Sequence, residues 1–73
     1  RSRQADLVLA RQVSMYIIRA ATNLSLPEIG KFFGQHHTTI MHSVDKIEKT
    51  LKTDRELTEV IRDIRANVNA STY

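Results

Sequence analysis

The side chains best suited to hydrogen bonding with a partner lie together near the middle of the chain. Five consecutive polar residues occupy this stretch: Gln35, His36, His37, Thr38 and Thr39. Their amide, imidazole and hydroxyl groups can donate or accept hydrogen bonds, and a threonine methyl can contact the methyl group of thymine. Because small polar residues at the start of a helix can meet base edges in the major groove, this stretch is a candidate for reading DNA.

The same histidines are also the first candidates for a metal site. His37 and His42 are five residues apart, whereas two ligands on one helix face are usually four apart. The chain has no Cys, so it offers neither a thiolate ligand nor a disulfide. It also lacks a Gly-rich phosphate loop and is too short for a deep pocket. We therefore predict no metal, no cofactor and no enzymatic activity in this chain.

Helices must position these residues, since no alternating strand pattern is present. The sequence predicts four of them, in this order: Gln4 or Asp6 to Ala21, a short helix between Ser25 and Gly34, His37 or Thr38 to Leu51, and a last helix from Thr53 or Asp54. We expect residues 1–5 to form a basic arm and residues 69–73 to fray. The whole chain, 1–73, is interpreted as one domain and as a fragment of a longer cytoplasmic protein.

The second helix carries the clearest local signals. Ser25 and Glu28 have the spacing of a capping box, and Pro27 lies in the first turn, where a missing N–H is tolerated. Gly34 suits a left-handed residue after the helix end. The predicted buried face consists of Ile29, Phe32 and Phe33. Another capping box is predicted at residues 53–56, at the start of the last helix.

The charge is unevenly distributed along the chain. The net charge is +3, and residues 1–43 hold five basic and two acidic side chains, whereas residues 44–73 hold six of each. A polyanion that binds the first half fits this asymmetry, although an ordinary solvated surface fits it too. No apolar run approaches the ~20 residues of a membrane span, so we expect no membrane partner.

An ordered set of short motifs resembles the C-terminal DNA-binding domain (domain IV) of the bacterial replication initiator DnaA. In chain order these are Ala10-Arg11-Gln12, Met15-Tyr16, the run from Ser25 to Gly30, Phe33-Gly34, His37-Thr38-Thr39 and Lys46-Ile47. The resemblance implies an all-α, four-helix fold with a Trp-repressor-like helix-turn-helix. It implies a monomeric domain that binds DnaA boxes in double-stranded DNA at the replication origin, with replication-regulator proteins as further partners. ATP binding is implied only for a preceding domain.

The resemblance also implies a role for individual residues. Base contacts in the major groove fall to Gln35, His36, His37, Thr38 and Thr39, with Leu26 and Pro27 touching the DNA at the start of the second helix. Arg3 takes the place of an arginine that enters the minor groove, where a narrow A·T-rich groove attracts a cation. The backbone contacts, which position the protein without specifying sequence, fall to Arg11, Gln12, Arg19, His42 and Lys46.

One departure from the family pattern affects specificity. Gln35 and His36 stand where the family usually has Arg and Asp. Since Asp accepts hydrogen bonds and His can donate them, we expect a shifted or relaxed base preference opposite His36. Three alternatives remain: Thr38 or Thr39 is only a helix cap, the bundle docks a protein partner, or the chain is a repressor-type regulator, which would require a dimer and a palindromic site.

Overall fold

A computed structural model of the protein describes residues 3–71, with side chains described from residue 4 to residue 67. This part of the chain contains four helices and no strand, which confirms the all-α fold class. The helices are α1 (Arg3–Ala21), α2 (Leu26–Phe33), α3 (His37–Leu51) and α4 (Arg55–Ser71). Across the described residues, none of the helices is both long and apolar enough to cross a membrane.

Both ends of the described chain are more helical than the sequence predicts. Residues 3–5 already belong to α1 and residues 69–71 still belong to α4, so the basic arm and the frayed tail are wrong over those positions. Once a helix exists, adding a residue orders one residue for one hydrogen bond, so polar ends can extend it. Residues 1, 2, 72 and 73 lie outside the described part.

The core consists of two apolar clusters that α1 and α3 share. The α2 cluster is built on Met15, Ile29 and Ile40, with Leu26 and Phe33 among its partly buried members. The second, the α4 cluster, is built on Val13, Ile47 and Ile61, packed against Tyr16, Ile17, Leu51 and Leu57. In α1, Val13 and Met15 are two residues apart and therefore point to nearly opposite sides, which places α1 between the two clusters. The apolar spacing of the sequence predicts a single stripe on α1 that leaves out Met15; its residues are Leu9, Val13, Tyr16, Ile17 and Ala20.

The sequence predicts Phe32 on the buried face of α2 and Met41 on a widened apolar stripe of α3, but both residues are exposed. Phe32 is 75% exposed and Met41 is 44% exposed. Among the described residues α2 packs against α1 and α3 but not against α4, so only one side of this two-turn helix is covered. Ile29 and Phe33 occupy that side, and Phe32 lies beyond its margin. Apolarity alone therefore overestimated the buried face of α2.

The start of α4 differs by one residue from the predicted capping box. The Asp54 carboxylate accepts a hydrogen bond from the Leu57 backbone N–H at 2.9 Å, so Asp54 caps the helix. The Thr53 hydroxyl instead donates to the Thr50 carbonyl oxygen at 3.3 Å. Asp is the stronger cap of the two residue types, and it takes the position.

Candidate nucleic-acid interface

The start of α2 is set by the predicted capping box, which the structure confirms. The Ser25 hydroxyl accepts from the Glu28 backbone N–H at 3.2 Å, and the Ser25 backbone N–H donates to the Glu28 carboxylate at 3.0 Å. The hydrogen bond from the Ser25 backbone N–H to the Glu28 carboxylate, and after it the Ser25 side chain, hold the pKa of Glu28 below its usual value of 4.5. The helix therefore begins at a defined residue, Leu26, with Pro27 in its first turn.

Leu26 and Pro27 differ in their surroundings. Leu26 is partly buried and packs on the α2 cluster, whereas Pro27 is exposed. Ile40, in the first turn of α3, is a buried member of the same cluster. Leu26 therefore has a packing role in the core, and Pro27 is the member of the pair that is free to touch a partner.

Two glycines make the turn between α2 and α3 compact. Gly30 lies within α2, and Gly34 lies at its end. Gly34 ends α2 in the left-handed conformation, with φ 64° and ψ 33°, as predicted. The Gln35 backbone N–H donates to the Gly30 carbonyl oxygen at 2.9 Å. A Cβ at Gly30 would stand 2.5 Å from the Gln35 carbonyl oxygen, so the turn lies directly against the backbone of α2. The closest approach at Gly30 is therefore made with this turn and not with another helix.

His36 caps α3, which the sequence did not predict. It has extended backbone angles, φ −68° and ψ 148°, and its Nδ1 accepts from the Thr38 backbone N–H at 3.2 Å. The Thr38 Oγ1 also lies 2.8 Å from the same Nδ1. Thr38 and Thr39 are therefore not the cap, and the alternative that explained them as capping residues is wrong. The family's Asp at this position was a usable signal, since Asp is a preferred cap.

The five polar residues of the sequence motif share one exposed surface at the start of α3. Gln35, His36, His37, Thr38 and Thr39 are all exposed, and the next residue, Ile40, is fully buried. The rings of His36 and His37 lie against each other, with centroids 4.3 Å apart and planes inclined by 33°. Buried Ile40 thus anchors the start of α3 in the core, and the five polar side chains beside it are exposed to solvent.

The residues predicted to contact phosphates do not form one uniform group. Arg11, His42 and Lys46 are exposed on α1 and α3. Gln12 is partly buried, and within the described residues its Oε1 atom is buried without a hydrogen-bond partner. Since a carbonyl oxygen cannot donate to a phosphate, only the amide nitrogen of Gln12 could serve the predicted contact.

Arg19 has a structural contact that sequence reasoning missed. Its Nη1 donates to the Leu24 carbonyl oxygen at 2.8 Å, which ties the end of α1 to the loop before α2. A guanidinium has five N–H donors, so this bond leaves most of them available for a phosphate. The backbone of Arg3 lies at the start of α1, but its side chain is outside the described atoms.

No metal site is formed by the histidines or their neighbours in the described chain. Between residues 3 and 71 no group of three His, Cys, Asp or Glu side chains is arranged to hold a metal ion. His36 Nδ1 is occupied by its contacts to Thr38.

A short capped helix, a glycine turn and a second helix with an exposed polar start define a helix-turn-helix domain. This class of domain places the start of its second helix against base edges in the major groove. The geometry at residues 25–40 has each of these parts, with α1 and α4 as the supporting helices.

Comparison with known proteins identifies the family. The model of the bacterial DnaA protein helix-turn-helix matches residues 1–47, and the chain belongs to this family. The chromosomal replication initiator protein DnaA of Deinococcus radiodurans is 47% identical over 66 residues, which cover 90% of this chain and 14% of that protein. Its counterparts in Lactobacillus johnsonii and Crocosphaera subtropica are 45% and 42% identical, over 90% and 97% of this chain.

The chain spans only 14% to 16% of the length of these relatives. No solved structure gives a significant match. The relatives therefore define the family of this domain.

Proposed function

We propose that this domain binds duplex DNA sequence-specifically at DnaA boxes and so places the rest of an initiator on a replication origin. Family membership supports a DNA-binding role in replication initiation. The observation that carries the finer proposal is the exposed polar turn from residue 35 to residue 39, fixed by the His36 cap on one side and by buried Ile40 on the other. Rigid support of this kind gives a base-reading surface a defined orientation.

The remaining contacts follow the same arrangement. The start of α3 enters the major groove, Pro27 touches the DNA beside it, and Arg3 extends toward the adjacent minor groove. Arg11, Arg19, His42 and Lys46 contact the phosphate backbone, and the amide nitrogen of Gln12 adds a further contact. The isolated domain acts as a monomer in the cytoplasm, needs no cofactor, and has no catalytic activity. ATP chemistry belongs to another part of the complete initiator, whereas replication-regulator proteins are proposed as further partners of this domain, on helix faces away from the DNA.

The test is a titration of the domain with two duplexes, one with a single DnaA box and one with the same bases scrambled, across a salt series. Affinity should fall as salt rises, because each phosphate neutralised by the protein releases counterions. A preference for the box that persists at higher salt would support sequence readout. Equal affinities would reduce the domain to a nonspecific basic module, and no binding to either duplex would favour the protein-docking alternative.

Thr38→Ala provides a residue-level test of the same proposal. The loss of one base contact should weaken box binding by about 1–3 kcal/mol and leave binding to the scrambled duplex unchanged. Thr38→Ser keeps the hydroxyl and Thr38→Val keeps the branched shape, so the pair separates the hydrogen bond from the methyl contact. If Thr38→Ala does not alter the ratio of the two affinities, Thr38 is not a base contact.

A further inference from the structure

We propose that His36 and Thr38 form a hydrogen-bonded pair of fixed polarity, in which His36 offers an N–H donor to the DNA and Thr38 offers an oxygen acceptor. This inference rests on the proposed function and deepens it, because it states which chemical group of a base each side chain selects. It uses contacts within the protein alone, and these can be examined without any DNA.

The role of His36 as helix cap decides which of its ring nitrogens accepts a hydrogen bond and which donates one. The Thr38 backbone N–H can only donate, and it points to His36 Nδ1 at 3.2 Å. Nδ1 must therefore accept and cannot carry a proton. A neutral imidazole has one N–H, so the proton resides on Nε2, the ring nitrogen on the other side of the ring from the cap. His36 is exposed, and this N–H is available to a partner.

The same atom, His36 Nδ1, decides whether the Thr38 hydroxyl donates or accepts. The Thr38 Oγ1 lies 2.8 Å from His36 Nδ1. Since Nδ1 has no proton, the hydroxyl is the only possible donor in this contact. Its hydrogen is thus directed back at the ring, and the lone pairs of Oγ1 are left for an outside donor.

The cap itself and one further contact keep the imidazole in this orientation. A half-turn of the ring would replace Nδ1 by a carbon atom at the cap and leave the Thr38 N–H without its acceptor. The His37 ring, 4.3 Å away, restricts motion on one side. The donor and acceptor are therefore part of the folded domain before it meets DNA.

Base edges in the major groove differ in the groups that such a pair can use. Guanine N7 and O6, adenine N7 and thymine O4 are acceptors, whereas the amino groups of cytosine and adenine are donors. The Nε2–H of His36 fits an acceptor edge and is mismatched to the cytosine amino group. An Asp at this position would have the opposite preference, because an ionised carboxylate only accepts.

The experiment compares His36→Asn and His36→Asp, which have nearly the same shape. Both can cap α3 through a side-chain oxygen, but only Asn also has an N–H donor. Binding of the wild-type domain and both variants to a randomised duplex library gives the base preference at each position. The wild type and Asn should share a preference for an acceptor base at one position, and Asp should shift that position toward cytosine by about tenfold. Ratios are compared because the added charge of Asp weakens all binding.

Two results would overturn the inference. One is an unchanged preference at every position in the Asp variant, and the other is a preference of the wild-type domain for cytosine opposite His36. If the wild-type domain shows no preference for the box over the scrambled duplex, that result would instead contradict the proposed function itself.

A second measurement addresses the polarity without DNA. Long-range proton–nitrogen correlation spectra of the free domain, recorded at alkaline pH where imidazoles are neutral, distinguish the two tautomers. We expect the His36 proton on Nε2. The spectrum of His37 serves as the internal comparison. A proton on Nδ1 would contradict the inference even if box binding were intact.

Discussion

Gly30 offers the sharpest test of how the α2–α3 turn is built, because replacement by Ala has two opposing effects. Ala favours a helix over Gly by about 0.5–1 kcal/mol, so Gly30→Ala would stabilise the domain if its methyl group had room. The structure gives it none. The new Cβ would stand 2.5 Å from the Gln35 carbonyl oxygen, against 3.4 Å for an ordinary contact.

The turn would have to move back by about 0.9 Å to reach that ordinary contact. This movement would stretch the 2.9 Å hydrogen bond from the Gln35 N–H to the Gly30 carbonyl, and its loss costs about 0.5–1.5 kcal/mol. Overpacking of this kind adds about 1–3 kcal/mol. After the gain in helix propensity, we expect a net destabilisation of about 0.5–4 kcal/mol. A domain of this size has only about 4–11 kcal/mol in total.

Two separate measurements test this: the thermal unfolding of Gly30→Ala, and the binding of the folded variant to the box and scrambled duplexes. The melting temperature should fall by about 4–8 °C for each kcal/mol lost, and the preference for the box should fall because residues 35–37 are displaced. An unchanged or higher melting temperature would refute the reasoning.

Gly34→Ala is the matched control for Gly30→Ala. At Gly34 an added Cβ meets nothing within 4 Å, but φ is +64°, which costs an L-residue about 1–2 kcal/mol. This variant should therefore lose stability without displacing the turn, and its preference for the box should be retained. Equal loss of preference in both variants would mean that stability alone, rather than the position of the turn, controls binding.

Three further outcomes are expected. The pKa of Glu28 is lowered by its hydrogen bonds to Ser25, so its stabilising effect is complete above about pH 4.5 and is lost as pH falls through the folded-state pKa. Glu28→Gln should remove that part of the pH dependence in denaturant unfolding. Arg19→Ala should weaken box and scrambled binding alike and reduce the salt slope by about one, whereas Arg19→Lys should keep the slope; an effect on box affinity alone would contradict the phosphate assignment. Ile61→Val should lower the unfolding free energy by about 0.5–1.5 kcal/mol in chemical denaturation and leave the base preference unchanged.

The features of the fold that could be predicted from sequence are those with a local cause. The capping box at Ser25 and the left-handed Gly34 depend on neighbours three or four residues away, so their spacing was sufficient evidence. Phe32 and Met15 depend on which helices cover which side. Their exposure and burial therefore could not be derived from the periodicity of a single helix.

The candidate site shows the same division. The sequence placed the five polar residues at the start of α3, and the structure puts them on one exposed turn. It did not show that His36 is the cap, because His is an uncommon cap and Thr38 and Thr39 are better candidates by residue type. Nor did it show the bond from Arg19 to Leu24, which requires the loop to fold back toward α1.

The two separate apolar clusters have a consequence for how the domain opens. The α2 cluster holds the turn that carries the polar residues, and the α4 cluster holds α4 against α1 and α3. Local openings of a folded protein tend to follow such units, so we expect α4 to detach while the half that carries residues 35–39 keeps its packing. Amide hydrogens of α4 should then exchange with solvent through smaller openings than those of α2. Changes in α4 should in this way leave the arrangement of residues 35–39 unaltered.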